Sequence, residues 1–295
     1  MIHGIIPAII TPFQRTETMS VDINGLRSNI EHLLSEGIDG IVPCGSTGES
    51  ATLSFAEHEE IIEEVVSAVG GKIPVIAGTG SNNTEEALTL TKAAKKIGAD
   101  AALIISPYYN KPNRAGLLKH YTKLADCGIP IIVYNVPSRT GQNLTPDLIA
   151  ELAENPNIAG VKEASGDIGQ ISQIIEMTRE LDREVPFSIL SGEDNMTLPI
   201  LALGGHGVIS VAANLEPARM GTLYDACRTG SFVRAQQIHY ELAPLLRGMF
   251  IDTNPIPVKK GVELRGGAAG PLRLPLTELD HEKEAVLKEI LSHYD

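Results

Sequence analysis

Lys162 is set apart from the other lysines by its surroundings. Lys92, Lys95, Lys96, Lys119, Lys123 and Lys288 fall in helical patterns and Lys72 precedes an apolar run, positions where water accounts for an ammonium. Lys162 instead closes the apolar run Ile158-Ala159-Gly160-Val161. A lysine stripped of hydration has a lowered pKa, and the neutral amine that results attacks carbonyl groups. The alternative is a structural lysine paired with Glu163 or Glu193. Tyr134 ends another apolar run about one strand–helix unit earlier, so on adjacent parallel strands, ~4.8 Å apart, the phenol and the amine could meet. A phenol beside an amine can shuttle the protons of carbinolamine, imine and enamine steps. The alternative is a core tyrosine with a hydrogen-bonded hydroxyl.

Arg139 follows Tyr134 in the loop Val136-Pro137-Ser138-Arg139-Thr140-Gly141, where its guanidinium could grip a carboxylate bidentately or simply stand in water. Ser46 and Thr47 sit in the turn Gly45-Ser46-Thr47-Gly48, whose hydroxyls and backbone N–H groups could hold a second carboxylate. Such Gly/Ser turns are common, and this one is weak alone.

The elements that must position these residues repeat one theme, a short Ile/Val/Ala-rich run followed by a segment with helical spacing. Strands are predicted at 4–10, 37–43, 73–78, 101–106, 129–135, 158–162, 187–191 and 207–211, apolar on both faces as in a covered parallel sheet. Ser54 with Glu57 makes a capping box ahead of Ile61, Ile62, Val65, Val66 and Val69, which share one helical face. Eight strands alternating with helices predict an α/β fold, a (β/α)8 TIM barrel with its active site at the C-terminal strand ends. Beyond residue 217 the spacing predicts only helices, at 217–229, 231–250, 255–265 and 278–293. We therefore expect a catalytic barrel over 1–225 and a C-terminal helical extension over 226–295.

Composition narrows the function. The 295 residues are 43% hydrophobic, enough for a sizeable core, but only 4% aromatic with no Trp, which argues against stacking platforms for single-stranded nucleic acid. A net charge of -13 repels phosphate backbones and anionic lipid, so neither nucleic acid nor membrane is an expected partner. An anionic substrate would need local positive groups. No apolar run reaches the ~18–20 residues of a membrane span, and Met1-Ile2-His3-Gly4 lacks a signal peptide's basic region, so a cytoplasmic location is expected. Cys44, Cys127 and Cys227 lie far apart, as idle thiols in a reducing compartment do. The eight histidines are scattered, and P-loop and Gly-x-Ser-x-Gly motifs are missing, so no metal site, nucleotide loop or hydrolase elbow is expected. Gly204-Gly205-His206-Gly207 precedes the last strand, on the face opposite the expected site, and reads as a tight turn.

The chain resembles the pyruvate-dependent class I aldolase superfamily, and within it the dihydrodipicolinate synthase family. The likeness runs from Gly4-Ile5-Ile6-Pro7-Ala8-Ile9-Ile10-Thr11-Pro12-Phe13 to Arg273-Leu274-Pro275-Leu276. Gly45-Ser46-Thr47-Gly48-Glu49-Ser50 and the strand-end lysine are shared across the superfamily. More specific are Tyr134-Asn135-Val136-Pro137-Ser138-Arg139-Thr140-Gly141, Gly205-His206-Gly207-Val208-Ile209-Ser210-Val211 and Asn254-Pro255-Ile256-Pro257-Val258-Lys259. The resemblance implies that Lys162 forms a Schiff base with pyruvate and that no other cofactor takes part. Tyr134, Thr47 and Tyr109 would relay protons, Tyr109 from across a dimer interface. Arg139 would bind the carboxylate of aspartate semialdehyde, Ser46 and Thr47 would contact pyruvate, and Gly192 and Ile209 would line its pocket. The product would be 4-hydroxy-tetrahydrodipicolinate, on the lysine and diaminopimelate pathway, and the assembly a homotetramer built as a dimer of dimers.

Where the family commonly has two threonines, this chain has Ser46-Thr47, a pair also seen in sialic-acid lyases. A pyruvate-releasing sugar-acid aldolase, acting on 2-keto-3-deoxygluconate or N-acetylneuraminate, therefore stays open as an alternative, and so does a non-catalytic ligand-sensing barrel. In lysine-inhibited members the effector sits on residues matching Ser50, Ala51, His58, Asn82, Glu86 and Tyr108, with Phe55 at a further variable contact position. Glu86 and Asn82 could bind an amino acid's charged groups or serve only as capping and interface residues.

Overall fold

The computed structural model describes residues 1–294. Seven strands form its sheet: β1 (Gly4–Pro7), β2 (Ile76–Gly78), β3 (Ala101–Ile105), β4 (Ile131–Asn135), β5 (Ile158–Glu163), β6 (Ser188–Ser191) and β7 (Gly207–Ser210). All pairings are parallel, in the order β1-β7-β6-β5-β4-β3-β2. The strand expected over 37–43 is not a continuous strand. It survives as two isolated parallel bridges, Ala8 to Val42 and Ile41 to Val75, which link the two edge strands and curl the sheet. Local chemistry explains the shortening. The Asp39 carboxylate accepts the Ile5 N–H at 2.8 Å in place of a ladder carbonyl, and Pro43 has no N–H to donate. Asp100 does the same for Val75 at 2.8 Å, which trims the start of β2.

Helices follow the strands: α1 (Ile23–Ser35), α2 (Phe55–Val69), α3 (Thr84–Ile97), α4 (Arg114–Ala125), α5 (Pro137–Thr140), α6 (Pro146–Ala153), α7 (Ile168–Thr178) and α8 (Thr197–Ala202). Then come α9 (Pro217–Arg228), α10 (Phe232–Gly248), α11 (Ile256–Leu264) and α12 (His281–Leu291), close to the four helices expected there. The capping box of α2 forms as read: Ser54 Oγ accepts from Glu57 N, and Glu57 accepts from Ser54 N at 2.9 Å.

Side-chain alternation sorts the strands into two faces. Ile132, Tyr134, Leu103, Leu190 and Ile209 meet inside the curl of the sheet, while Ile131, Val133, Val161 and Ile189 pack outward against helices. The C-terminal helices share a core with β1 and β7, since Leu242, Leu245 and Leu287 cluster with Ile5 and Val208. Residue 225, the expected boundary, lies inside α9.

A buried charge cluster ties this C-terminal part to the loop after residue 43. Lys259 Nζ lies 2.5 Å from Glu49 Oε1, with side chains 2% and 0% exposed. Glu49 Oε2 accepts from the Arg273 N–H at 3.1 Å, and the Arg273 guanidinium bonds to Thr52 O, Met19 O and Glu57. That guanidinium holds the Glu57 carboxyl down at about 2. Lys259 and Arg273 also lie 4.2 and 4.1 Å from the Phe13 ring centroid. Removing one partner of such a pair strands a buried charge. Lys259→Met should therefore cost about 3–5 kcal/mol in urea unfolding. The double variant Lys259→Met with Glu49→Gln should recover part of that loss, and a single-variant loss below about 1 kcal/mol would contradict the assignment.

Candidate active site

Register brings the amine and the phenol together. Tyr134 pairs directly with Lys162 across β4 and β5, and Lys162 Nζ lies 4.3 Å from the Tyr134 ring centroid. Both point into the curl of the sheet, where Lys162 is 6% exposed and Tyr134 8%. Burial drives the Lys162 amine down to about 7, with Asp194 opposing and Arg139 reinforcing the shift. Burial likewise pushes the Tyr134 phenol up to about 12. Among the described residues, no carboxylate lies within ion-pair distance of Lys162.

Of the two acids expected as structural partners of Lys162, neither forms an ion pair with it, and Glu163 is engaged elsewhere. Glu163, next in sequence, points to the other face and accepts from Asn135 Nδ2 at 3.0 Å, Ser165 N at 2.8 Å and Gln170 Nε2 at 3.3 Å. Asn135 pairs with Glu163 one register step beyond Tyr134 and Lys162, so this amide network binds the same two strands from behind. Glu193 lines the cavity, its carboxyl raised by burial and then by Asp194. Gly192 leaves room for the amine: a Cβ there would stand 2.7 Å from Ala164 Cβ and 3.2 Å from Lys162 Cε.

Thr47 is 3% exposed, and its Oγ1 accepts from Asn254 Nδ2 at 3.1 Å. Arg139, in α5, donates from Nη2 to the Asn254 carbonyl at 2.9 Å. Asn254 thus joins the two groups from the segment before α11, and its own Oδ1 is buried without a partner. The sequence reading gave Asn254 no role, although it opens one of the motifs that carry the family resemblance; nothing local marks an Asn-Pro pair as a site. Asp194 was passed over as well. It is 2% exposed, and its Oδ2 accepts from the N–H groups of Val211 and Ala212 at 3.0 and 2.9 Å.

These groups open into a cavity of about 860 Å³ lined by Lys162, Tyr134, Arg139, Ser46, Thr47, Gly192 and Asn254. The same cavity reaches Ser50, Ala51, His58, Glu86, Tyr108 and Phe55, so the expected effector residues share one space with the amine. Burial lowers the His58 imidazole to about 4, and Glu86 accepts from Ser81 Oγ at 2.7 Å. Three expected residues lie outside the lining. Asn82 donates to Tyr108 O at 3.1 Å, Ile209 packs in the interior with its neighbours, and Tyr109 is 89% exposed with φ 72°. Among the described residues no group of three His, Cys, Asp or Glu side chains could hold a metal ion, and no helix is long and apolar enough to cross a membrane.

An amine lowered to about 7 should react as a nucleophile at neutral pH. Reductive methylation with peptide mass spectrometry should show Lys162 labelling rise through about pH 7 rather than near the ordinary lysine value of about 10.4. A Lys162 profile with no inflection below pH 9 would contradict the assignment.

Comparison with known proteins identifies the family of the chain. The model of the dihydrodipicolinate synthetase family matches residues 1–294. The chain is 66% identical over 294 residues to a 4-hydroxy-tetrahydrodipicolinate synthase of Methanoculleus marisnigri, covering 100% of both. It is 62% identical over 295 residues to one of Methanospirillum hungatei, again covering 100% of both. The crystal structure of dihydrodipicolinate synthase from Aquifex aeolicus superposes with a TM-score of 0.94 at 46% identity, over 99% of this chain and 98% of that one. With its buried amine, neighbouring phenol and cavity arginine carried on that fold, the chain belongs to the dihydrodipicolinate synthetase family.

Proposed function

We propose that this protein is an enzyme that condenses pyruvate with L-aspartate 4-semialdehyde to 4-hydroxy-tetrahydrodipicolinate, the first committed step toward lysine and diaminopimelate. The observation that carries the reading is the buried Lys162 amine, without an ion pair and 4.3 Å from the Tyr134 ring centroid, in a cavity that also holds Arg139 and Thr47. Its near relatives bear the name of that synthase. The neutral amine attacks the pyruvate ketone, and loss of water leaves an imine whose α-proton can be drawn off to an enamine. Tyr134 and Thr47 relay the protons. Ser46 and Thr47 hold the pyruvate carboxylate, with Gly192 in the wall and Ile209 packed behind it. Arg139 takes the carboxylate of the semialdehyde, a local cation against a global charge of -13. No cofactor beyond the covalent imine is needed, nor a metal ion.

The segment 37–43 completes a (β/α)8 barrel over 1–225, and 226–295 is its helical extension. Tyr109, exposed here, completes the relay of a second copy, within a homotetramer working in the cytoplasm. Ser50, Ala51, His58, Asn82, Glu86 and Tyr108 form a site for lysine as a feedback effector. The sugar-acid alternative rests on Ser46 alone, a hydroxyl that serves pyruvate in either reaction.

Borohydride in the presence of pyruvate should reduce the imine and add a pyruvate-derived mass to Lys162; an unlabelled, folded protein would remove imine chemistry altogether. Turnover should be found with pyruvate plus aspartate semialdehyde and persist in a chelator, and cleavage of 2-keto-3-deoxygluconate or N-acetylneuraminate in its place would favour the alternative. Tyr134→Phe should lower kcat about 10²–10⁴-fold with the fold intact. Arg139→Ala should impair the semialdehyde step far more than imine trapping, and equal losses in both would contradict its role.

A further inference from the structure

Imine chemistry makes two opposed demands on the field around Lys162. The amine must be neutral to attack, so a carboxylate in contact with it would pin it as an ammonium. Once the carbonyl carbon is attacked and water leaves, the nitrogen is a protonated imine, a cation held in a dry cavity that needs a countercharge. A carboxylate fixed near the amine but barred from touching it meets both demands.

Asp194 is built that way. It follows β6, whose Leu190 pairs with Lys162, and it is 2% exposed. Its Oδ2 is tied by the N–H groups of Val211 and Ala212 at 3.0 and 2.9 Å, and the Ser210 hydroxyl bonds to the same carboxylate. Burial raises this carboxyl, and the three donors and the charge of Lys162 work against that rise, while the donors stop the side chain from swinging toward the amine. Its other oxygen, Oδ1, is buried with no partner, an expensive condition for a group with only a structural task. The other groups facing Lys162 do not compete. Tyr134 from β4 presents its ring, Arg139 from α5 is a cation, and Glu163 is bonded to Asn135, Ser165 and Gln170 on the far face. Glu193 lines the same cavity, its carboxyl raised by burial and then by Asp194, and Ala8, Val42, Leu103 and Val211 are among the apolar walls.

We propose that Asp194 is a positioning residue for the Lys162 imine, a fixed countercharge held off the free amine by the end of β7 and stabilising the iminium once water has left. The inference rests on the imine reading above and names a group that reading leaves idle. It has a signature that packing alone does not produce, because the charge stabilises both cationic states of the nitrogen, the ammonium before attack and the iminium after water has left. Asp194→Asn keeps an oxygen for the two N–H groups and removes the charge. Without it the free amine loses its proton more readily, so the pH midpoint of imine formation should fall by about half a unit or more. The iminium loses its countercharge, so the pyruvate concentration for half-maximal trapping should rise about tenfold.

The experiment measures imine formation against pH and pyruvate concentration in the intact enzyme, by timed mixing, borohydride quench at one fixed pH and intact-mass readout. Both shifts together, in a variant whose thermal melt shows it folded, support the proposal. A folded Asp194→Asn with wild-type midpoint and wild-type pyruvate dependence overturns it, as does weakened trapping with an unmoved midpoint, which marks a structural role. Should Asp194→Asn not fold, Ser210→Ala withdraws one donor from the carboxylate and must move the midpoint the same way by a smaller amount; an unchanged midpoint overturns the proposal. If the wild-type enzyme itself traps no pyruvate, the imine reading fails first.

Discussion

The dehydration of one amine is the constraint around which the rest of this molecule is arranged. Lowering a lysine from 10.5 to about 7 reflects about 5 kcal/mol of preference for the neutral form inside the fold. The folded state bears that cost fully below pH 7, where both folded and unfolded chains hold the proton. Between about 7 and 10.5 the unfolded chain binds a proton that the folded chain does not, so this group's contribution to stability rises with pH across that window. A protein keeps such a group only if the surrounding core over-determines its place. Here β5 is paired on both sides, and its inward and outward faces pack against separate clusters.

Around that amine, three carboxylates that could neutralise its chemistry are occupied. Glu163 is spent on Asn135, Ser165 and Gln170, Glu49 on Lys259 and Arg273, and Asp194 on the backbone of Val211 and Ala212. Each of these bonds also serves the scaffold, pinning β4 to β5, the 45–52 loop to the C-terminal helices, and the end of β6 to the end of β7. Stability and the state of the amine are therefore not separate matters here, because the same hydrogen bonds that tie these segments together keep these three acids off Lys162.

The C-terminal helices belong to the site as well as to the core. Asn254 links Thr47 to Arg139, and Lys259 and Arg273 hold the loop that carries Ser46 and Thr47. The helical part thus supplies the inner wall of a cavity whose reactive residues come from strand ends. A small displacement of these helices would change the spacing between Arg139 and the loop that carries Thr47.

Much of this was legible in the linear chain. Short apolar runs between helical segments marked seven strands within a few residues, because burial on both faces leaves a compositional trace. Lys162 and Tyr134 stood out because a polar group at the end of an apolar run is costly unless it has a use, and Arg139 because it follows Tyr134 in a loop at the same end. The strand expected at 37–43 came out as bridges, since Asp39 takes over a backbone bond that no periodicity reports. Asn254 and Asp194 were missed for one reason: each acquires its meaning from a partner far along the chain or on another loop. By itself the sequence determined where the apolar runs and the helices between them lie, and which polar residues end those runs. Only the tertiary structure decided which acids are spent and which cation is left bare, because a carboxylate's charge acts through distance and geometry, and neither is written in spacing along the chain.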